Sequence, residues 1–132
     1  MDVLQYISTP KNTLEPDPLT TIVKLTHGRL TGGSLYFPSG AAGKLHFIAL
    51  LGIHQIIPFN TSQNIRLDDC VFPLSLGIDL LEPPYELICK TWNDSTLYDH
   101  ALTLVLYLEP MLDAEHDIKT LINKFWFYGG RE

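Results

Sequence analysis

The sequence predicts an all-β protein, an antiparallel β-sandwich of about eight strands with an N-terminal extended arm and one C-terminal helix. Three observations lead there. Short runs of β-branched and apolar residues recur between residues 19 and 110, and turn residues separate them about every ten to twelve positions. Only residues 113–126 carry apolar side chains at helical spacing. A chain of 132 residues has the length of one domain, divided here as an arm over 1–18, a sandwich over 19–110, and a helix with an aromatic tail over 111–132.

Pro10, Pro16 and Pro18 punctuate the arm, and each removes a backbone donor and restrains the residue before it, so no compact helix forms there. Thr20–Thr26 is β-branched and sets Val23 and Leu25 on one face. Gly28 marks a turn, and Gly32-Gly33 a bend or bulge before Ser34–Phe37. Pro38–Gly43 is a loop. Lys44–Leu51 alternates, with Leu45, Phe47, Ala49 and Leu51 opposite Lys44, His46, Ile48 and Leu50. Gly52 separates it from Ile53–Ile57, and Asn64–Leu67 is a further short alternating run.

Cys70–Leu76 follows, where Pro73 favours a sheet edge or a bulge. Tyr85–Trp92 and His100–Leu108 complete the strands. In the C-terminal segment Asp113 suits an N-cap, and Ile118, Leu121, Ile122 and Phe125 recur at spacings of three and four. Gly129-Gly130 provides a stop.

Composition excludes several function classes. Nine Lys and Arg against fifteen Asp and Glu give a net charge of −6, a poor electrostatic match for nucleic acid. No apolar run approaches the length of a membrane-spanning helix, so membrane insertion is not expected. Residues 1–7 lack the basic start and the long apolar stretch of a secretory signal, and cytoplasmic synthesis is the expectation. Cys70 and Cys89 then read as reduced thiols, and Asn60-Thr-Ser62 and Asn93-Asp-Ser95 as chance matches to the glycosylation sequon.

Candidate chemistry is sparse. Ser39–Lys44 resembles a phosphate loop but has Pro38 and Leu45 where the motif needs Gly and a hydroxyl residue. His27, His46, His54, His100 and His116 show no metal-ligand spacing, and no Gly-x-Ser-x-Gly elbow exists. Asp68, Asp69, Asp79, Glu82, Asp94 and Asp99 lie in turns, where calcium could be held, yet nothing fixes a ligand set. No catalytic residue, cofactor or metal is therefore assigned. Trp92 and Tyr98 border loops and offer an alternative role, stacking on sugar rings in a carbohydrate-binding module; a small metal-dependent β-fold enzyme is a second alternative.

The anomaly lies in the last strand. Leu102, Leu104, Leu106 and Leu108 form a core face, while Ala101, Thr103, Val105 and Tyr107 form an opposite face without charge. The outer face of an antiparallel sheet normally carries polar residues, so something covers this one: the C-terminal helix, the N-terminal arm or another subunit. Phe125-Trp-Phe-Tyr128 adds to the apolar surface, since consecutive helical residues turn by about 100° and cannot all face one sheet. The expected subunit interface is therefore Ala101, Thr103, Val105 and Tyr107 with Trp126, Phe127 and Tyr128.

The phrases Ile57-Pro-Phe-Asn60, Leu67-Asp-Asp69, Pro83-Pro-Tyr85, Trp92-Asn-Asp94 and His100 resemble small single jelly-roll modules of virus and phage particles. The resemblance implies a jelly-roll fold and an assembly role, and it assigns no functional residue. The expectation is a non-enzymatic structural protein forming a symmetric homo-oligomer, a particle or tail component. Its partners would be copies of itself and other particle proteins.

Overall fold

A computed structural model of the protein describes residues 1–111. Eight strands form in chain order: β1 Asp2–Thr9, β2 Leu19–Lys24, β3 Gly28–Phe37, β4 Leu45–Leu51, β5 His54–Ile57, β6 Cys70–Leu80, β7 Glu86–Asn93 and β8 His100–Pro110. They make two four-stranded sheets, with strand order β1-β8-β3-β6 in the first and β2-β7-β4-β5 in the second. Every pairing is antiparallel. The first three strands alternate between the sheets, and the last three alternate again. This is the strand order of an eight-stranded jelly roll.

Period-two alternation drives the packing. Leu102, Leu104, Leu106 and Leu108 on β8 meet Leu30, Leu35 and Phe37 of β3 and Leu45, Phe47, Leu87 and Val23 of the facing sheet in one buried core. Filling it with aliphatic and aromatic side chains contributes about 1.5–3 kcal/mol per fully buried residue, the main term opposing chain entropy. One end of the sandwich is closed by polar groups. Thr9 of β1 and Thr91 of β7 join their hydroxyls across the two sheets at 2.7 Å, and the Asn93 amide donates to the carbonyls of Thr9 and Tyr98. Among the described residues, every buried side-chain nitrogen or oxygen has a partner.

The expected strand pattern holds with two exchanges. The arm expected over residues 1–18 is extended, but its first half is a full strand, hydrogen-bonded to β8 from Asp2 to Thr9. Val3, Ile7 and Thr9 turn toward the core and Leu4, Tyr6 and Ser8 away from it, and the prolines come only after the strand has ended. The sandwich therefore begins at residue 2, not 19. Conversely, Asn64–Leu67 is not a strand; it contributes a single bridge, Ile65 to Phe47.

Pro73 sits on the edge strand β6, and the β3 ladder shifts register between Leu30 and Gly32, where a bulge was expected. Gly33 lets β3 and β8 close up, because a Cβ there would lie inside contact distance of the Val105 carbonyl oxygen and 3.0 Å from the Leu106 Cα. The helix expected over 113–126, with the tail beyond it, lies outside the described residues.

Candidate assembly surface

The interface residues expected on β8 come together on the outer face of the first sheet. Register places them in rows across all four strands. One row runs Tyr6, Thr103, Tyr36, Val71, and the next Leu4, Val105, Ser34, Pro73. A third runs Asp2, Tyr107, Gly32, Ser75, while Ala101 pairs with Ser8 at the far end. Leu4, Tyr6, Tyr36, Val71 and Tyr107 are exposed. Ala101, Thr103 and Val105 are half-buried, because β8 is an inner strand set between β1 and β3.

Apart from Asp2 at its edge, the zone from Tyr107 to Ala101 has no charged side chain on any of the four strands. Its length is about 20 Å, six strand residues at about 3.4 Å each. Charge appears one row further along, where Glu109, Arg29 and Asp79 stand side by side and Arg29 Nη1 donates to Asp79 Oδ1 at 2.6 Å. Uncharged apolar rows bounded by a charged row have the anatomy of an interface core with a polar rim. Trp126, Phe127 and Tyr128 lie outside the described residues.

A second cluster lies on the outer face of the other sheet. His46 is buried although its strand position points outward, because Trp92 is its cross-strand neighbour and the two rings stack at 5.0 Å between centroids. His46 Nε2 donates to Asp94 Oδ2 at 2.7 Å, and Nδ1 lies 2.6 Å from the side-chain amide oxygen position of Asn64. Both ring nitrogens are engaged, so the imidazole ties two loops to β4 and offers no free nitrogen to a substrate.

Trp92 is only 5% exposed, whereas Tyr98 in the next loop is 68% exposed. The structure does not bring these two rings together as a paired stacking platform. Asn93 is buried and occupied by its own hydrogen bonds, which explains its sequon as a structural turn.

Comparison with family models, with curated proteins and with solved structures returned no match. Some of the remaining candidate groups have structural partners. Asp68 Oδ1 accepts from the backbone N–H groups of Gly40 and Ala42, which fixes the Pro38–Gly43 loop. Lys24 pairs with Glu86 at 2.9 Å. His54 is exposed and pairs with Leu51 across the Gly52 turn, away from His46. Among the described residues, no three His, Cys, Asp or Glu side chains are grouped to hold a metal ion.

An open hollow of about 430 Å³ between Leu51, Leu80, Leu81, Pro84 and Ile88 is also lined by Asp79, Glu82 and Glu86, of which Asp79 and Glu86 are already in ion pairs. Cys70 and Cys89 are both free thiols. Burial pushes the Cys89 thiol up to about 12, which removes its thiolate at neutral pH.

What sequence reasoning missed was the width of the apolar face. Only its β8 quarter was visible, since Leu4, Tyr6, Tyr36 and Val71 join it through strand order. Their own alternation was the signal, with large apolar residues on both faces of β1.

Proposed function

We propose that the protein is a non-enzymatic structural subunit that assembles into a symmetric homo-oligomer and serves in a virus or phage particle. The observation that carries this reading is the uncharged outer face of the first sheet, centred on Thr103 and Val105 and flanked by Tyr6 and Tyr36. The opposite face of the same strands already fills the core, so this surface is not part of the subunit's buried core. Exposed apolar area of this kind favours association at roughly 25 cal/mol per Å² removed from water. Closed symmetry is the usual way soluble chains hide such a face without open-ended growth.

The particle role draws on the jelly-roll strand order together with the resemblance of the loop phrases to particle modules. On this reading the chain is made in the cytoplasm, and its partners are copies of itself and other particle proteins. Light scattering coupled to size exclusion tests the assembly. The expected mass is an integral multiple of 14.9 kDa, and a 14.9 kDa species persisting at high micromolar concentration overturns the proposal.

A further inference from the structure

We infer that β1 is a pairing edge, to which the β1 strand of a second copy adds in antiparallel fashion about a two-fold axis through Gln5. The inference rests on the homo-oligomeric reading above and names a contact made alongside the outer face. An edge strand presents unpaired backbone groups, and proteins blunt such edges by keeping them short or by placing lysine and proline on them. The two sheets end in four edge strands, β1, β6, β2 and β5. β5 has four residues and runs into Pro58, β2 has six and ends on Lys24, and β6 carries Pro73, which has no N–H. β1 has eight residues, keeps one unbroken register against β8, and contains no proline, lysine or arginine.

The β1–β8 ladder determines which groups β1 leaves at its edge. In an antiparallel pair, alternate residues turn both backbone groups toward the neighbouring strand. The Leu108 N–H donates to the Met1 carbonyl at 2.7 Å, one step before the Asp2–Tyr107 pair, so the odd-numbered residues of β1 face β8. Asp2, Leu4, Tyr6 and Ser8 therefore turn their N–H and C=O groups to the open side. The exposed bond that Gln5 Nε2 donates to the Tyr6 carbonyl at 3.1 Å agrees with that direction. Among the described residues, no other strand pairs with this edge.

These groups match themselves at one register. Side chains opposite each other in an antiparallel pair lie on the same face, so even-numbered residues of one copy must meet even-numbered residues of the other. An axis through Gln5 sets Asp2 opposite Ser8 and Leu4 opposite Tyr6, and every outward N–H and C=O of β1 then has a partner. An axis through Tyr6 would set Asp2 opposite Pro10, which has no N–H, and one through Leu4 would carry Ser8 beyond Asp2, where β1 ends.

Charge and surface agree with the Gln5 register. The two Asp2 carboxylates stand about 20 Å apart, six residues at about 3.4 Å each, well beyond close repulsion. Leu4 of one copy lies beside Tyr6 of the other, so the two uncharged outer faces join on one side of a continuous sheet. The gain from exchanging water bonds for backbone bonds is offset by lost translational and rotational freedom, so the edge sets the register and the outer face supplies the remaining affinity. Both subunits use the same edge, which closes the contact on itself.

Disulfide trapping of the full chain in a Cys70→Ser background tests this, with native mass measured alongside. Opposed residues at position 5 would lie about 4.5 Å apart at Cα, within the about 4.4–6.8 Å that a disulfide spans. Gln5→Cys, mildly oxidised, should give a species of twice 14.9 kDa linked through position 5. Co-expressed Asp2→Cys and Ser8→Cys chains should join position 2 to position 8, while neither variant alone should join, because like positions stand about 20 Å apart. This second pair decides the matter if Gln5→Cys fails to fold.

If nothing is joined while the native mass stays a multiple of 14.9 kDa, the edge pairing is wrong and the assembly reading survives. Joining of Asp2→Cys or Ser8→Cys alone, without a link from position 2 to position 8, refutes the Gln5 register and with it the inference. A 14.9 kDa native mass overturns both the pairing and the assembly.

Discussion

Two adjacent residues of β8 separate the forces that fold the subunit from those proposed to assemble it. Leu104 points into the core with no exposed surface, and Val105 points to the outer face, half-buried between Leu4 and Ser34. Leu104→Ala removes buried side-chain carbons and leaves a cavity among side chains that cannot fully collapse, which costs about 2–5 kcal/mol. Against a typical domain stability of about 5–15 kcal/mol, that is a large fraction of the total.

Val105→Asp removes nothing from the core. Its carboxylate is solvated in the isolated subunit, so the subunit's own stability changes by about 1 kcal/mol or less. In the assembly the same carboxylate would be desolvated without a partner, and association should be lost. Urea unfolding of both variants, at one dilute protomer concentration and with light scattering alongside, reads both effects. We expect Leu104→Ala to lower the midpoint sharply while folded protein keeps the assembled mass. We expect Val105→Asp to give a folded monomer. A Val105→Asp variant that keeps the assembled mass, or is destabilised as much as Leu104→Ala, would refute the separation of faces.

Other consequences follow from the same structure. Gly33→Ala drives a methyl into the β8 backbone at Val105 and Leu106, and we expect a loss near or above the top of the usual 1–3 kcal/mol range for overpacking (about 3 kcal/mol); an unchanged thermal midpoint would contradict that close approach. His46→Ala removes the ring stacked on Trp92 and frees the Asn64 and Asp94 side chains, so stability should fall by about 1–3 kcal/mol with a red shift of tryptophan emission. Unmoved emission and stability would show that the stack contributes nothing. Cys89, whose thiol is raised from 9.0 to about 12 by burial, should resist thiol reagents at pH 8 until the protein unfolds, while Cys70 reacts. Because the folded-state value is the higher one, the stability linked to Cys89 is full below about pH 9 and declines as pH rises toward 12. A Cys89→Ala variant with the same alkaline profile would exclude that origin.

The strands that were legible in the sequence are those with contrasting faces. On β8 four leucines alternate with smaller or polar neighbours, and both its span and its core face could be read directly. β1 escaped because Leu4 and Tyr6 on its outer side are as apolar as Val3 and Ile7 on its inner side, so the period-two contrast is weak. Asn64–Leu67 showed the contrast, yet only Ile65 reaches a partner, Phe47.

The surface was legible only as far as one strand carries it. Tyr6 and Tyr36 flank Thr103 because β8 inserts between β1 and β3, a consequence of strand order that no local pattern encodes. The His46 cluster was illegible for the same reason. Asn64 and Asp94 lie 18 and 48 residues from His46, and Trp92 reaches it only through the β4–β7 register. A tryptophan beside a loop looks available for stacking on a ligand until that register shows its ring against a histidine.

Tyrosine nitration of the intact protein, mapped residue by residue, tests the covered face most directly. In the isolated subunit Tyr6, Tyr36 and Tyr107 on the outer face are 62%, 45% and 44% exposed, and Tyr98 in the loop between β7 and β8 is 68% exposed. If the face is buried between copies, Tyr98 is nitrated rapidly while Tyr6, Tyr36 and Tyr107 are protected, and the Val105→Asp variant restores their reactivity. Nitration of all four at rates that follow these subunit exposures would mean that the face is open to solvent, and the assembly account would be wrong.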